Sequence, residues 1–359
     1  MKKFLVGIAI FAALAVLAGL VYFLVVLKKT TPTSDQLAGN SFAPEIKSFR
    51  GVLADVLDDI KKEAEKIEEA VSNPFSGDKN KTAENFGDNG FTFAILGDTQ
   101  RFTAGNSKGN FQKAVARIKE KNPDLVIATG DLVSNCKGKS DNNRDYANWK
   151  NILGPLAEKT YAVQGNHDRV ENMDECDQFW ADAFSFPING PSGFTEFAYS
   201  LDLKNSHFVF LDSDKPDEHK INSTQRDWLE RDLAATKKEN TFVFFHEPAY
   251  PVSSKMTESL DFDPAERNAL WRILEKHNVK AVFNGHEHIV SRRKIGGVYQ
   301  FVFGNTDSFN HDLPVAGVAE YANQGQGRFG LVKVNGKAIT VETHGPDGAL
   351  LNTFTLAPQ

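Results

Sequence analysis

Five short apolar segments of the chain each end in side chains that can bind divalent metal ions. The segments are FTFAILGD, LVIATGD, TYAVQGNHD, TFVFFHEP and VKAVFNGHEH. The metal-capable side chains at their ends belong to Asp98, Asp131, Asn166, His167, Asp168, His246, His286 and His288. Carboxylate and amide oxygens combined with imidazole nitrogens suit Mn, Fe, Zn or Ni, whereas thiolates would indicate structural zinc. The donor types therefore predict a site for borderline divalent ions.

The candidate ligands are too many for one tetrahedral ion. They fit two ions that share a carboxylate. That arrangement polarises a phosphoryl oxygen, makes a hydroxide at neutral pH and holds an in-line displacement in place. We therefore expect two divalent metal ions as cofactors.

The apolar segments have the composition of strands, and helix-like stretches lie between several of them. Three such stretches are residues 111–121, 224–238 and 265–277. Strands that alternate with helices predict an α/β layered fold, in which ligands bind at the carboxyl ends of the strands. An Asn335-Gly336 pair between two apolar runs predicts a β-hairpin near the C-terminus.

Five ordered motifs resemble those of the calcineurin-like metallophosphoesterases. They are GDTQ at 97–100, GDLV at 130–133, GNHD at 165–168, FFHEPAY around His246 and GHEH at 285–288. The resemblance covers roughly residues 90 to 305 and implies a four-layer α/β/β/α sandwich of two sheets between helices. It also implies a hydrolase that acts on phosphate esters.

The resemblance implies a role for each ligand. Asp98 and His288 hold the first metal, Asp131 bridges both, and the second metal is held by Asn166, His246 and His286. Taken alone, His286-Glu287-His288 would more often be a polar patch at a strand end. The resemblance instead sends the two histidines to different metals, and Glu287 between them is expected to face solvent.

His167 corresponds to the catalytic histidine of the family, which contacts a phosphate oxygen or protonates the leaving oxygen, and Asp168 would orient its ring. An imidazole suits general-acid work because its pKa lies near neutrality. The alternatives are a turn histidine that is hydrogen-bonded to backbone, and an aspartate that caps the following helix.

The motifs depart from the family pattern at three positions. Gln100 stands where the first motif usually has a histidine, and its amide is a weaker ligand. Ser134 replaces the tyrosine of purple acid phosphatases, so a purple tyrosinate-iron site is not expected. Glu247 follows His246 where a second histidine is often found, and its charge is expected to disfavour highly anionic substrates.

Three classes of function are compatible with these observations. A phosphomonoesterase or phosphodiesterase with a metal-bound hydroxide is favoured by the ordered ligand set. A non-catalytic metal-binding or interaction module on a membrane stalk is favoured by Gln100 alone. A metallopeptidase lacks support because the sequence has neither an HExxH pattern nor a serine nucleophile elbow.

The N-terminal region predicts a membrane anchor, because Phe4 to Leu27 form 24 consecutive uncharged residues between lysine pairs. A cleaved signal peptide and a buried helix are the alternatives. We expect an anchor at 1–29, and a tether, amphipathic helix and linker at 30–90, the helix docking as a stalk rather than forming a coiled-coil dimer. A phosphoesterase domain at 91–359 would then lie outside the cytoplasm on a single-pass membrane protein.

Composition limits the partners of the chain. The net charge of -6 gives no basic surface for nucleic acid, and the sequence identifies no protein partner.

Cys136 and Cys176 predict one disulfide, with two separate buried thiols as the alternative. In the insert at 169–193, Phe179, Trp180, Phe184 and Phe186 pack a loop or stack a nucleobase. Arg101 pairs with a phosphate oxygen or with a surface carboxylate.

Overall fold

The computed structural model describes residues 90–102, 109–134, 136, 139–169, 173–253, 258–314 and 316–357. The anchor predicted at 1–29 lies outside the described residues, as does the tether, helix and linker region predicted at 30–90 apart from residue 90. None of the described helices is both long and apolar enough to cross a membrane. A strand begins at residue 91, where the predicted domain starts.

The first of two mixed sheets has six strands. They are β1 (Phe91–Leu96), β2 (Leu125–Ala128), β3 (Thr160–Ala162), β11 (Phe329–Asn335), β12 (Ala338–His344) and β13 (Leu350–Leu356). Their order in the sheet is β13-β12-β11-β1-β2-β3. β1, β2 and β3 are parallel, and the C-terminal strands add antiparallel to β1. The carboxyl ends of the three parallel strands therefore meet at one edge.

The second sheet has seven strands. They are β4 (Tyr199–Leu203), β5 (Ser206–Phe210), β6 (Asn240–Phe244), β7 (Ala281–Asn284), β8 (Val290–Ile295), β9 (Val298–Phe303) and β10 (Tyr321–Asn323). The order is β10-β8-β9-β7-β6-β5-β4, and β5, β6, β7 and β9 run parallel. β6 and β7, which precede the predicted histidine ligands, are neighbours.

Five helices complete the described fold. They are α1 (Asn110–Lys121), α2 (Lys139–Leu153), α3 (Met173–Ala183), α4 (Ser223–Ala235) and α5 (Pro264–Lys276). α1 and α2 connect the parallel strands of the first sheet, and α4 and α5 connect those of the second. Because such crossovers pack on the outer face of their own sheet, the layers are helix, sheet, sheet, helix, as the sequence predicted.

Phenylalanine side chains hold the two sheets together. Phe93 on β1 is fully buried and packs against Phe208, Phe242, Phe244 and Phe283 of the second sheet, with ring centroids 5.3–6.3 Å apart. Edge-to-face contacts of this kind stabilise a core beyond the burial of the rings. The alternating phenylalanines of β5 and β6 point into this interface because successive strand residues face opposite sides.

Local sequence signals set several boundaries. Asp263 caps α5 by accepting hydrogen bonds from the backbone N–H groups of Ala265 and Glu266. The predicted hairpin joins β11 to β12, and Gly336 adopts a left-handed φ of 58° in the turn. α4 ends three residues earlier than predicted, because Thr236 has extended backbone angles (φ -62°, ψ 143°).

The insert between β3 and β4 is packed onto the domain. Cys136 and Cys176 form the predicted disulfide, which ties the loop after β2 to α3. Phe179, Trp180 and Phe184 are buried. Packing, not nucleobase stacking, is therefore the role of the insert's aromatic residues.

Candidate metal centre

The loops that follow β1, β2, β6 and β7 are hydrogen-bonded to one another. The N–H of Asp98 donates to the carbonyl of Gly130 (3.0 Å), which joins the first two loops. The N–H of Gly285 donates to the carbonyl of His246 (3.0 Å), which joins the other two. The backbone N–H of His286 then donates to the Asp98 carboxylate at 3.0 Å, across the gap between the sheets. The predicted ligands are thereby brought to one place.

Asp98, Asp131 and His288 form one side of this group. Each offers a ligand atom, and the three atoms lie within 4.8 Å of one another. Nε2 of His288 is 3.3 Å from Oδ1 of Asp98. Both carboxylates are buried, so a cation between them would have little competition from water.

Asn166, His246 and His286 form the other side. Oδ1 of Asn166 lies 3.0 Å from Nε2 of His246 and 3.1 Å from Nδ1 of His286. Oδ1 of Asp131 lies 3.4 Å from the same His246 nitrogen. Asp131 therefore stands between the two sides, in the position predicted for a bridging carboxylate.

The donor set fits a bound cation. Nδ1 of His246 lies 2.7 Å from the carbonyl oxygen of Thr129, a contact that requires an N–H on that nitrogen. When the ring is neutral, Nε2 presents its lone pair to Asn166 Oδ1 and Asp131 Oδ1, which are also acceptors. Acceptors that converge in this way need a positive charge between them, and either a proton on Nε2 or a bound metal ion supplies it.

The charges of the buried groups are strongly coupled. Burial raises the pKa of Asp98 well above its ordinary value. Burial also opposes the ionisation of Asp131, but the charges of His246 and His167 outweigh it and lower the pKa of Asp131. The asymmetry favours Asp131 as the carboxylate of the pair that is ionised.

Several residues of the site have left-handed backbone angles, and the glycine-containing motifs of the sequence reflect this geometry. Asp98, Asp131 and His286 have left-handed φ angles of 56°, 53° and 67°. Such angles are costly for residues other than glycine and cluster at functional sites. The preceding Gly285 is also required, since a Cβ there would lie 2.5 Å from Oδ2 of Asp98. The repeated Gly-Asp and Gly-His pairs of the motifs are consistent with these close approaches.

Gln100 lies at the centre with the predicted ligands. Its Nε2 donates a hydrogen bond to Oδ2 of Asp131 at 3.1 Å, and its side chain is buried. The side chain that replaces the usual histidine is thus within reach of the predicted bridging carboxylate.

His167 lies at the mouth of the centre, with 40% of its side chain exposed. Its backbone N–H donates to Oδ1 of Asp131 (2.8 Å), and Nε2 of its ring is 4.0 Å from Oδ2 of the same residue. The ring is therefore held next to the ligands on the side that a substrate can reach.

The predicted contact between Asp168 and the His167 ring is absent. Asp168 is buried, and its carboxylate accepts hydrogen bonds from the backbone N–H groups of Leu132, Val133 and Gly165 and from the hydroxyl of Tyr146. Burial and the charge of Asp131 raise its pKa to about 8. Asp168 thus braces the loop that carries Asp131, because its side chain points inward while His167 points outward.

Two glutamates are placed differently from the prediction. Glu287 is fully buried instead of facing solvent, and it accepts hydrogen bonds from the backbone of Val252 (2.7 Å) and Ser253. Strand alternation predicts that Glu287 points away from the histidines, but the 251–253 segment fills that side. Glu247 is also fully buried and is hydrogen-bonded to His219 (2.8 Å). The carboxylate of Glu247 is therefore not placed to contact a substrate directly.

Three residues that support the site were missed in the sequence. The carbonyl of Thr129 fixes the His246 tautomer, and Tyr146 donates to Asp168. The ring of His311 stacks on His288 with centroids 4.0 Å apart and accepts a hydrogen bond from the His288 backbone. Thr129 stands inside the second motif, but no signal in the sequence identifies Tyr146 or His311.

Arg101 lies over the ring of Phe309, 4.1 Å from its centroid, and its predicted phosphate contact remains a prediction.

A two-sheet α/β fold with carboxylate and imidazole ligands at the carboxyl ends of its strands defines a metal-dependent hydrolase. The chain belongs to the calcineurin-like phosphoesterase family, whose pattern matches residues 91–290, more than half of the sequence. The protein is accordingly a hydrolase that acts on phosphate esters.

Two bacterial relatives and one solved structure are similar to this chain. A probable cyclic nucleotide phosphodiesterase of Vesicomyosocius okutanii is 28% identical over 56% of this chain and 78% of its own length. A 3′,5′-cyclic-nucleotide phosphodiesterase of Nostoc is 26% identical over 61% and 81%, respectively. A purple acid phosphatase from yellow lupin shares the fold, with a TM-score of 0.62 and 17% identity over 74% of this chain and 53% of that one.

Proposed function

We propose that the protein is a phosphodiesterase with a dinuclear metal centre, and that cyclic nucleotides are its substrate class. The observation that carries the proposal is the convergence of three acceptors, from Asp131, Asn166 and His246, on one point of the centre. The names of the curated relatives, all cyclic nucleotide phosphodiesterases, support the diester substrate.

Asp98, Asp131 and His288 would hold one cation, and Asp131, Asn166, His246 and His286 would hold the other. Two divalent cations in such a site supply Lewis acidity to a phosphoryl oxygen and lower the pKa of water. Gln100 would touch the bridging carboxylate from outside by the hydrogen bond to Asp131 Oδ2.

His167 would protonate the leaving oxygen of the substrate. Its ring is solvent-accessible, and the hydrogen bond from its own backbone N–H to Asp131 fixes its position relative to the ligands. Asp131 would therefore both hold the cations and position the general acid.

The test is a substrate comparison with the full-length protein loaded with Mn²⁺. We expect hydrolysis of 3′,5′-cyclic AMP and of bis(4-nitrophenyl) phosphate to exceed that of 4-nitrophenyl phosphate. His167→Ala should lower kcat by about 10²–10⁴-fold while the bound metal stays unchanged. His277→Ala, which removes the histidine after α5 that pairs with Glu230 on α4, is the matched control and should keep wild-type turnover.

Three results would count against the proposal. Wild-type turnover by His167→Ala would contradict the general-acid role of His167. A preference for the monoester would contradict the assignment of diesters as the substrate class. Loss of metal from His167→Ala would show that the residue is a ligand instead.

We also propose that the segment from Phe4 to Leu27 anchors the protein and that the domain lies outside the cytoplasm. The uncharged run supports an anchor. The Cys136–Cys176 disulfide supports an oxidising compartment. Protease added to intact cells should degrade the domain, and thiol labelling of denatured, non-reduced protein should leave both sulfurs unlabelled. Protection from protease together with two labelled thiols would reject the location.

A further inference from the structure

A second group of metal-capable side chains lies behind the candidate metal centre. Asp214 and His219 belong to the loop that follows β5, and Glu247 comes directly after His246 at the end of β6. One ligand atom from each residue lies within 4.8 Å of the others. Asp214 is 1% and Glu247 0% exposed, whereas 23% of the His219 side chain reaches solvent. The Asp214 cluster, as we name these three residues, is thus buried but open at His219.

The hydrogen bonds of the cluster leave one buried oxygen without a donor. Nδ1 of His219 lies 2.8 Å from both oxygens of Glu247. The hydroxyl of Ser213 donates to Oδ2 of Asp214 at 2.8 Å and accepts from the N–H of Glu247. Among the described residues, nothing donates to Oδ1 of Asp214. A buried acceptor without a donor is costly unless a further group completes it.

Positive side chains do not neutralise the cluster. Lys215 and Lys220, on the same loop, face Asp177 and Asp263 instead. In the part of the chain that the structure describes, no lysine or arginine nitrogen lies within 4 Å of either carboxylate, and the one ion pair is with His219. Two buried carboxylates next to one imidazole therefore lack a matching charge, which burial makes expensive.

We propose that Asp214, His219 and Glu247 form a third cation site, separate from the two sites of the metal centre. Two carboxylate oxygens and an imidazole nitrogen are the ligands of Zn²⁺ and Mn²⁺, and a water molecule would complete the coordination. A divalent ion balances the charge of two carboxylates when the imidazole is neutral. Nδ1 of His219, which faces Glu247, is the nitrogen that coordinates, and its partly exposed ring marks the path by which the ion enters.

The site fixes the end of β6. Glu247 is the residue after His246, and the Ser213 hydroxyl links its backbone to Asp214. An ion in the Asp214 cluster therefore holds the loop after β5 against the peptide that carries His246. The ion acts as a structural support, and the inference does not depend on which phosphate ester is hydrolysed.

The experiment is elemental analysis of the full-length protein in detergent, after chelation, incubation with Zn²⁺ or Mn²⁺ and removal of excess ion. The background is the double variant Asp98→Asn, Asp131→Asn, which disables the metal centre. We expect this variant to retain about one ion per chain, and Asp214→Asn added to it to remove that ion. Asp232→Asn, which alters another carboxylate beside a histidine, is the matched control and should change nothing.

Each outcome bears on the proposal in one direction. Equal metal content with and without Asp214→Asn would overturn it, as would a double variant that binds no ion while circular dichroism shows it folded. If Asp214→Asn does not fold, His219→Gln replaces it, because that side chain reaches the surface and its loss leaves the buried carboxylates in place. Failure of the diester proposal leaves this measurement unaffected, because the double variant contains no intact metal centre.

Discussion

Two of the regions in which histidines contact carboxylates differ in the number of hydrogen-bond donors. On the outside of the second sheet, His207 lies between Asp202 and Asp232, with one ring nitrogen 2.7 Å from each. At the metal centre, Nδ1 of His246 is hydrogen-bonded to the carbonyl of Thr129, and Nε2 faces acceptor oxygens. The first arrangement is complete with a protonated ring, and the second directs ligand atoms of three residues at one point, where a cation fits.

The pKa of His207 shows how the first region is satisfied. Burial opposes its charge, but the hydrogen bonds that the ring donates to Asp202 and Asp232 outweigh it and raise the pKa to about 9. Its ring therefore supplies both donors at neutral pH. The Asp214 cluster resembles the metal centre in this respect. Its single imidazole contacts Glu247, and Oδ1 of Asp214 has no donor among the described residues. Donor counting thus separates an ion pair from a metal site where residue types alone do not.

The largest effect is expected when the shared acceptor of the metal centre is removed. Asp131→Asn eliminates the charge between the two groups of ligands, while its amide oxygen can still accept from the His167 backbone. We expect turnover to fall by roughly 10³-fold or more, with loss of bound metal. Steady-state kinetics and elemental analysis measure both. Asp232→Asn is the control, and equal losses in the two variants would break the distinction between the regions.

A medium effect is expected at His207, because its folded pKa is raised. Below pH 6.5 the ring is protonated in folded and unfolded protein, so its stabilisation is fully present, and it is lost as pH rises through about 9. We expect the free energy of unfolding to fall by about 1–2 kcal/mol across this window, a figure reduced for the half-exposed Asp202.

Urea unfolding of the wild type and of His207→Gln between pH 6 and 10 isolates this contribution. The difference between the two proteins should shrink as pH rises, because glutamine has no charge to lose. A difference that is constant with pH would mean that His207 stabilises the fold by packing alone.

The smallest effect is expected at Gln100, which touches Asp131 from the edge of the centre. Gln100→His adds an imidazole where the family usually has one, and we expect the affinity for the first metal to rise by about tenfold. Metal titration monitored by calorimetry measures the change, with Gln100→Ala as the comparison. A weaker affinity in Gln100→His would indicate that the local backbone cannot accommodate the ring.

The grouping of the predicted ligands at one place could be expected from the sequence because several of them closely follow an apolar strand. Asp98, Asp131, His246 and His286 stand two or three residues beyond the ends of β1, β2, β6 and β7, and parallel strands bring such ends together. The alternation of strands and helices predicted a layered α/β fold, and the family resemblance implied its four layers. The Asn335-Gly336 hairpin was also predictable, since it depends on local backbone preferences.

Side chains between and behind the ligands were not predictable in the same way. Alternation correctly separates Glu287 from its neighbouring histidines, but it says nothing of what packs on the far side, where the 251–253 segment lies. Asp168 follows His167 directly, yet a tight 3-10 turn at 166–168 sends the two side chains in different directions. His311 follows His288 by 23 residues, beyond the β8–β9 hairpin, so only the folded chain brings their rings together.

The pairing of β1 with β11 sets a boundary that the motifs do not reveal. The region that matches the family ends at residue 290, but β1 is hydrogen-bonded along Phe91 to Ile95 with a strand that begins at residue 329. A fragment that ended at 290 would turn β1 into an exposed edge rich in phenylalanine, prone to pair with other chains. Exchange of the motif region alone between relatives would therefore detach Asp98 from the strands that support it. The part of this enzyme that must be exchanged as one unit extends to the last strand.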